Sequence, residues 1–198
     1  SEECIGRLAD IPLENTLRES EFYFPMQGEG TQALAKLLTD HRNTTQEHEN
    51  KRAYNPVMLP SYKKLSGMMH GFIDLIFEFE GKYYLSDYKS THLGDSFQDY
   101  QFDALRDNVE KNYYDLQYLI YALALHRYLS QTLVNYDVKQ HFGGVYYLYL
   151  RGMTTEPEHQ GAGVYYRHIT EQELSSLDKL FSGQAELAVT SGQGVHHD

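Results

Sequence analysis

Two acids and a lysine stand inside a stretch of chain otherwise built for β-structure. Asp74 lies in the run Gly71–Phe79, and Asp87 and Lys89 lie in the run Lys82–Ser90. A carboxylate among apolar and aromatic neighbours is costly to desolvate unless something neutralises it. A divalent cation held through oxygen ligands is the economical neutraliser. Lys89 follows Asp87 by two residues, so in a strand both point to one side, roughly 6.5–7 Å apart. A lysine beside such a centre can hold an attacking water or offset charge on a phosphate. The chemistry this suits is hydrolysis of a phosphodiester, and the Tyr88 backbone carbonyl is a candidate third oxygen ligand for the metal. Taken singly the pieces are ordinary: an Asp-x-Lys is usually a surface pair, and a lone strand aspartate can simply accept hydrogen bonds from a loop.

Hairpin geometry joins them. Two β-rich runs flank Glu80-Gly81. In the first, Ile73, Leu75, Phe77 and Phe79 alternate with Phe72, Asp74, Ile76 and Glu78. In the second, Tyr83, Leu85, Asp87 and Lys89 share a face. If Glu80 and Gly81 are the loop, Phe79 faces Lys82, and counting back along both strands brings Asp74 opposite Asp87. Directly opposed residues have Cβ atoms roughly 4.5–5.5 Å apart. A four-residue loop keeps this pairing and a three-residue loop breaks it.

Other elements must carry this hairpin. Glu21–Met26 reads as a short strand ended by Pro25, and Thr31–Arg42 as a short helix. Asn43–Pro60 is polar with two prolines and reads as a mobile loop. Asp115–Gln131 has helical periodicity, with Leu116, Ile120, Leu123 and Ala124 in an apolar stripe. Gly143–Arg151 returns to strand composition. Thr170 to Glu173 spells a capping box that opens a final helix to about Phe181, with Gly183 suited to its stop. The tail 190–198 reads as disordered. The order strand, hairpin, helix, strand, helix predicts one α/β (α+β) domain over 1–189 with a mixed central sheet flanked by helices.

Composition narrows the partners. The chain of 198 residues has a net charge of −11, which argues against a basic surface that coats nucleic acid. An acidic domain acting on DNA needs a local cation or a partner that delivers the strand. Cys4 is the single cysteine, which excludes an internal disulfide and fits a reducing compartment. No apolar run approaches the roughly 20 residues of a membrane span, and no signal peptide opens the chain. The 18 tyrosines are expected at half-buried sheet positions. No GxxxxGK[ST] phosphate loop occurs, so no helicase motor is present.

Several motifs recur together in one known family. Gly71-Phe-Ile-Asp74, Asp87-Tyr-Lys89-Ser90 and Gln117-x-x-x-Tyr121, in this order and spacing, resemble the C-terminal nuclease domain of RecB-type helicase-nucleases. The likeness extends through Tyr114–Tyr118, Ala124–Tyr128 and His141–Gly144 to Leu150–Gly152, with weaker likeness at Glu21–Phe24. The resemblance implies a PD-(D/E)xK restriction-endonuclease-like core and Mg²⁺-dependent DNA cleavage, with Mn²⁺ as a substitute. It implies Asp74 and Asp87 as metal-binding acids and Lys89 as the catalytic lysine. Gln117 and Tyr121 would line the motif helix facing the active centre, consistent with i and i+4 sharing a helix face. On residue type alone, Gln117 reads as solvent-exposed and Tyr121 as packing.

The resemblance further implies single- or double-stranded DNA as substrate, RecC-type and RecD-type partner subunits, loading of RecA and a bacterial cytoplasmic setting. In that family a histidine ligand lies on a helix well upstream of the Gly-x-x-Asp motif. With 73 residues before Asp74, that helix is expected to precede this chain, which would then fold alone and cut DNA weakly. His41, His48 and His70 sit in no matching motif and are expected at the surface or in loops. Thr91-His92 departs from the Asn and aromatic of the family pattern. Two other readings fit the residues: a stand-alone endonuclease of the same fold, and a non-catalytic docking module for a recombinase or partner subunit.

Overall fold

A computed structural model describes residues 8–29, 31–44, 56–60, 64–181 and 186–188. Six strands form one sheet in the order β5-β4-β3-β2-β1-β6. They are β1 Thr16–Glu29, β2 Lys64–Phe79, β3 Lys82–Lys89, β4 Phe142–Tyr149, β5 Val164–Arg167 and β6 Glu186–Ala188. The helices are α1 Thr31–Thr44, α2 Phe102–Lys111, α3 Tyr114–Thr132, α4 Val138–His141 and α5 Glu171–Leu180. β3 and β4 run parallel and the other neighbours antiparallel. The sheet is mixed because β3 returns to β4 through the helical crossover of α2 and α3, the kind of connection a parallel pair requires.

The hairpin forms as its turn dictates. Glu80 and Gly81 have φ of 52° and 78°, the double left-handed geometry whose twist matches the flanking strands. Phe79 pairs with Lys82, and the ladder continues to Leu75 with Ser86. β1 is longer than the segment Glu21–Met26 and runs on through Pro25, which pairs with Met68. β6 covers only Glu21–Tyr23, so among the described residues Pro25 lies on an open edge, where its missing N–H is tolerated.

The main core lies between one sheet face and the helices. Phe22, Phe24, Ile73, Ile76, Leu85, Tyr147 and Tyr149 from the sheet meet Leu38, Leu105, Val109, Leu119, Leu123 and Leu177 from the helices. A smaller cluster of Ile11, Leu75, Phe77 and Tyr84 covers the other face. Ile73 and Ile76 therefore reach the same core although three residues apart, and the strict alternation expected for β2 fails at Asp74. The partner strand is irregular at the same point: Glu19 of β1 has φ of 48°, and neither Glu19 nor Asp74 appears in an otherwise continuous ladder. The tyrosines go deeper than expected, since Tyr84, Tyr100, Tyr118, Tyr147, Tyr149 and Tyr165 are buried.

α3 is pinned to its neighbours at several levels. Arg42 Nε donates to Asp115 Oδ2 at 2.5 Å and its Nη2 to the Glu110 carbonyl at 2.9 Å. Arg127 Nε donates to Asp178 at 2.6 Å, and its Nη2 to the Phe181 carbonyl. His41, expected at the surface, is 2% exposed. Its Nδ1 lies 2.5 Å from Glu173 Oε1 and its Nε2 lies 2.6 Å from the Tyr118 hydroxyl. A neutral imidazole suits both partners: Nδ1–H donates to the carboxylate and Nε2 accepts from Tyr118. Burial pushes the His41 pKa down, against the hydrogen bond to Glu173. Thr170 and Glu173 form the expected capping box, and Glu173 thus joins α5 to α1 and α3. His70 sits in β2, hydrogen-bonded to Glu21 at 2.8 Å and stacked on Tyr23. His48, the centre of the expected loop, Gly183 and the 190–198 tail lie outside the described residues.

Candidate functional site

The C-terminal end of β3 and the first half of α3 meet over one sheet face. Asp87 and Lys89 alternate onto this face as a strand requires, and α3 turns Gln117 and Tyr121 toward them. The Lys89 ammonium lies 2.6 Å from Asp87 Oδ2 and donates to Gln117 Oε1 at 3.2 Å. It also sits 3.9 Å from the ring centroid of Tyr114 and 4.5 Å from that of Tyr147, a cation–π cage that fixes a flexible side chain. Tyr147 is the parallel-ladder partner of Asp87. Its hydroxyl lies 2.7 Å from Gln117 Oε1 and 3.0 Å from the Tyr114 carbonyl, and its one proton serves either acceptor. Gln117 Nε2 donates to the Tyr121 hydroxyl at 3.0 Å. Gln117 is therefore half-buried at the centre of a polar cluster, not the solvent-exposed residue its type suggested.

Asp74 approaches from the neighbouring strand. The β2–β3 ladder ends at Leu75 and Ser86, one step short of Asp74 and Asp87. At that point Asp74 Oδ2 accepts the backbone N–H of Tyr88 at 2.9 Å. The carboxylate has thus taken over a contact to the strand, which ties it beside Asp87. Burial raises the Asp87 pKa above its ordinary value; the hydrogen bond and charge of Lys89 oppose this, and the charge of Asp74 adds to it. Burial and the Asp87 charge push the Tyr121 hydroxyl up to about 12, so it stays protonated near neutral pH. Asp74, Asp87, Lys89, Gln117 and Tyr121 are thereby linked through short contacts, and Tyr88 contributes its backbone between the two acids.

The carboxylates of Asp74 and Asp87 are hard oxygen donors, the donor type that suits Mg²⁺ or Mn²⁺. The energetic cost of keeping Asp87 ionised while buried and near Asp74 is the cost a divalent cation would lower. Among the described residues, one group of three side chains could also gather on a metal: Glu156, Glu158 and His159. Both acids there are exposed, and the group includes none of the residues the motifs single out. Reading by residue type missed Tyr147 and Tyr114. Their signal was present, since Tyr147 lies on a predicted strand and Tyr114 three residues before Gln117, but which strand neighbours β3 was not legible.

Comparison with known proteins bears on this arrangement. Residues 2–192 match the family model of the PD-(D/E)XK nuclease superfamily. The chain is 38% identical over 183 residues to the RecBCD enzyme subunit RecB of Haemophilus influenzae, covering 88% of this chain and 13% of that protein. It is 36% identical over 177 residues to the Escherichia coli subunit of the same name, covering 89% and 14%. A shorter match, 44% identical over 89 residues, covers 44% of this chain and 7% of the RecB subunit of Borreliella burgdorferi. The chain thus spans about one seventh of the length of the Haemophilus influenzae and Escherichia coli relatives. A family model that accounts for nearly the whole chain, over a mixed sheet flanked by helices, places this protein in the PD-(D/E)XK nuclease superfamily.

Proposed function

We propose that this chain hydrolyses DNA phosphodiester bonds in a Mg²⁺-dependent reaction, as the nuclease domain of a RecBCD-type enzyme. The observation that carries the reading is the Lys89 ammonium held between Asp87, at 2.6 Å, and Gln117, at 3.2 Å. Asp74, Asp87 and the Tyr88 carbonyl would hold the cation, which when bound supplies Lewis acidity toward a phosphate oxygen and a water. Lys89 donates to the phosphate or the incoming water and offsets charge as the new P–O bond forms and the old one breaks. Gln117 orients Lys89, and Tyr121 and Tyr147 hold the Gln117 amide in place. Tyr121, with a pKa near 12, positions and does not take a proton at neutral pH.

The relatives are named as subunits of the RecBCD enzyme. By that likeness, RecC-type and RecD-type subunits are the proposed partners, DNA is the substrate, and the setting is recombinational repair in a bacterial cytoplasm. Among the described residues no helix is long and apolar enough to cross a membrane. The test is cleavage of labelled linear DNA, single- and double-stranded, with Mg²⁺, Mn²⁺ or EDTA. Cleavage that requires a divalent ion and is lost in Asp74→Asn and Lys89→Ala supports the reading. Metal-independent cleavage, or full activity in either variant, overturns it.

A further inference from the structure

The loop that leaves β3 leads directly into a second feature. A cleft of about 390 Å³ is lined by Gly94, Ser96, Phe97, Tyr100, Arg151 and His159, with Asp95 and Gln98 completing its wall. Its floor is rigid. Tyr100 is 2% exposed, its hydroxyl accepts the Leu93 N–H at 3.1 Å, and its carbonyl accepts the Gly163 N–H at 2.9 Å. A Cβ on Gly152 would fall 2.3 Å from the Tyr100 ring, so only glycine lets this backbone lie flat on it. One wall is aromatic: Phe97 and His159 stack with centroids 4.2 Å apart and planes 28° from parallel.

The cleft also carries a cation beside the proposed active centre. Arg151 is exposed, and its Nε donates to the Ser90 carbonyl at 2.9 Å. Ser90 is the residue after Lys89, one Cα step of about 3.8 Å away. The adjoining Leu150 N–H donates to the Lys89 carbonyl at 3.0 Å. Among the described residues no carboxylate lies within ion-pair reach of Arg151; the acids nearby lie against histidines, Asp95 Oδ1 at 3.5 Å from His92 Nε2 and Glu156 Oε2 at 3.9 Å from His159 Nε2. In a chain of net charge −11, an arginine offered next to an aromatic wall is a selective feature. That pairing is how single-stranded nucleic acid is held without sequence preference: an aromatic face for a base and a cation for the backbone.

We propose that this cleft is a subsite for one nucleotide of a single DNA strand, beside the phosphate presented to Lys89. The base stacks on the Phe97–His159 wall and Arg151 takes the adjoining phosphate. The subsite rests on the hydrolase reading for its purpose, but its binding can be measured without cleavage. The probe is a fluorescein-labelled oligothymidylate titrated by anisotropy in EDTA at low salt, against wild type, Phe97→Leu, Arg151→Gln and Arg151→Lys. Leucine keeps the apolar contact of Phe97 and removes its π-face. Melting curves for each variant separate folding from binding.

Phe97→Leu is expected to weaken binding at least about fivefold, the lower end of what one stacked base contributes. Arg151→Gln is expected to reduce the slope of log K against log salt by about 0.7, one phosphate contact on a single strand, and Arg151→Lys to restore it. In Mg²⁺, Phe97→Leu should raise KM for the same oligonucleotide with kcat nearly unchanged. Wild-type affinity and slope in folded Phe97→Leu and Arg151→Gln, or no saturable binding by wild type, overturn the subsite. Binding with this variant pattern but no cleavage in Mg²⁺ or Mn²⁺ leaves the subsite standing and sinks the hydrolase reading. Cleavage with wild-type KM in every variant does the reverse.

Discussion

Glu19 and Asp74 occupy facing positions on β1 and β2 where the ladder between them is broken. Every other β1 residue from Thr16 to Glu29 has a partner on β2. Glu19 carries the break in its backbone, with φ of 48°, and Asp74 is released from pairing to accept the Tyr88 N–H. An L-residue in this conformation costs roughly 1 kcal/mol or more, a strain placed beside the proposed site. Glu19→Gly should be neutral to stabilising by up to about 1 kcal/mol, after glycine's extra unfolded-state entropy is subtracted. Glu19→Val should destabilise by roughly 1–2 kcal/mol, and by favouring an extended strand it should displace Asp74 and slow cleavage. Denaturant melts and cleavage rates of the two variants check this; equal stabilities would show that the bend is not set by Glu19.

Asp87→Asn separates metal binding from folding. The folded pKa of Asp87 is raised by burial. Its contribution to stability is therefore present below the unfolded value and lost as pH rises through the folded one, so the ionised group opposes folding at neutral pH. Asparagine removes that penalty but also removes the partner of Lys89, which keeps Gln117 and the Tyr114 and Tyr147 rings. The two effects oppose, and without metal the variant should melt within about 1 kcal/mol of wild type. With Mg²⁺ at a hundredfold over its Kd, wild type should gain about 2.7 kcal/mol and the variant almost none. A wild-type melt indifferent to millimolar Mg²⁺ counts against the site.

Lys89→Ala should abolish cleavage and spare metal affinity. A protonated amine has no lone pair to donate to a metal, and the proposed work of Lys89 is on phosphate and water. Calorimetric titration with Mn²⁺ decides it: a loss of affinity as large as in Asp87→Asn would refute this division of labour.

The His41 cluster predicts an acid-side loss of stability. Burial raises the Glu173 pKa, but the hydrogen bond and charge of His41, the hydrogen bond from Thr170 and the Arg167 charge outweigh it and bring the group to about 2. A depressed carboxylate stabilises above its unfolded pKa, near 4.5, and that stability is lost as pH falls toward 2. The lowered His41 pKa acts in the same direction, with loss beginning below its unfolded value of 6.5. The full Glu173 shift corresponds to roughly 3 kcal/mol. Glu173→Gln should lose a similar order at pH 7 and flatten the profile between pH 4.5 and 2. A parallel, merely displaced profile would show that the cluster does not carry the pH dependence.

Local signals were legible and distant ones were not. Glu80-Gly81 set the hairpin register because a two-residue turn is decided by its own φ angles, and Asp87-x-Lys89 followed from strand alternation. The break at Asp74 was not legible, because the matching irregularity, at Glu19, sits on β1, more than 50 residues away. His41 read as a surface histidine because its partner Glu173 lies 132 residues further on. α2 went unread although Phe102, Leu105 and Val109 carry helical spacing, and Leu105 and Val109 are fully buried. β5, four residues long, is too short for a period of two to register. Gln117 shows the general case: its residue type points to solvent, and only the fold brings Lys89 and Tyr147 to its oxygen.

Gln117 and Tyr121 can be told apart by what each could do. Gln117 Oε1 receives both Lys89 and the Tyr147 hydroxyl, so removing it loosens the lysine and leaves Tyr147 only the Tyr114 carbonyl as acceptor. Tyr121 offers its hydroxyl only to the Gln117 amide among the contacts described. At a pKa near 12, about one molecule in 10⁵ carries the phenolate at pH 7, far too few for a general base. Gln117→Ala should therefore lower kcat by roughly 10- to 100-fold, the scale for a group that orients an active residue, with metal affinity unchanged. Tyr121→Phe keeps the ring against Phe22, loses one hydrogen bond of about 1 kcal/mol, and should stay within about fivefold of wild-type kcat. The pH–rate profile is the deciding readout. Loss of an alkaline or neutral limb in Tyr121→Phe would make the hydroxyl a proton carrier, and an unchanged profile with a small drop in rate would confine it to holding Gln117.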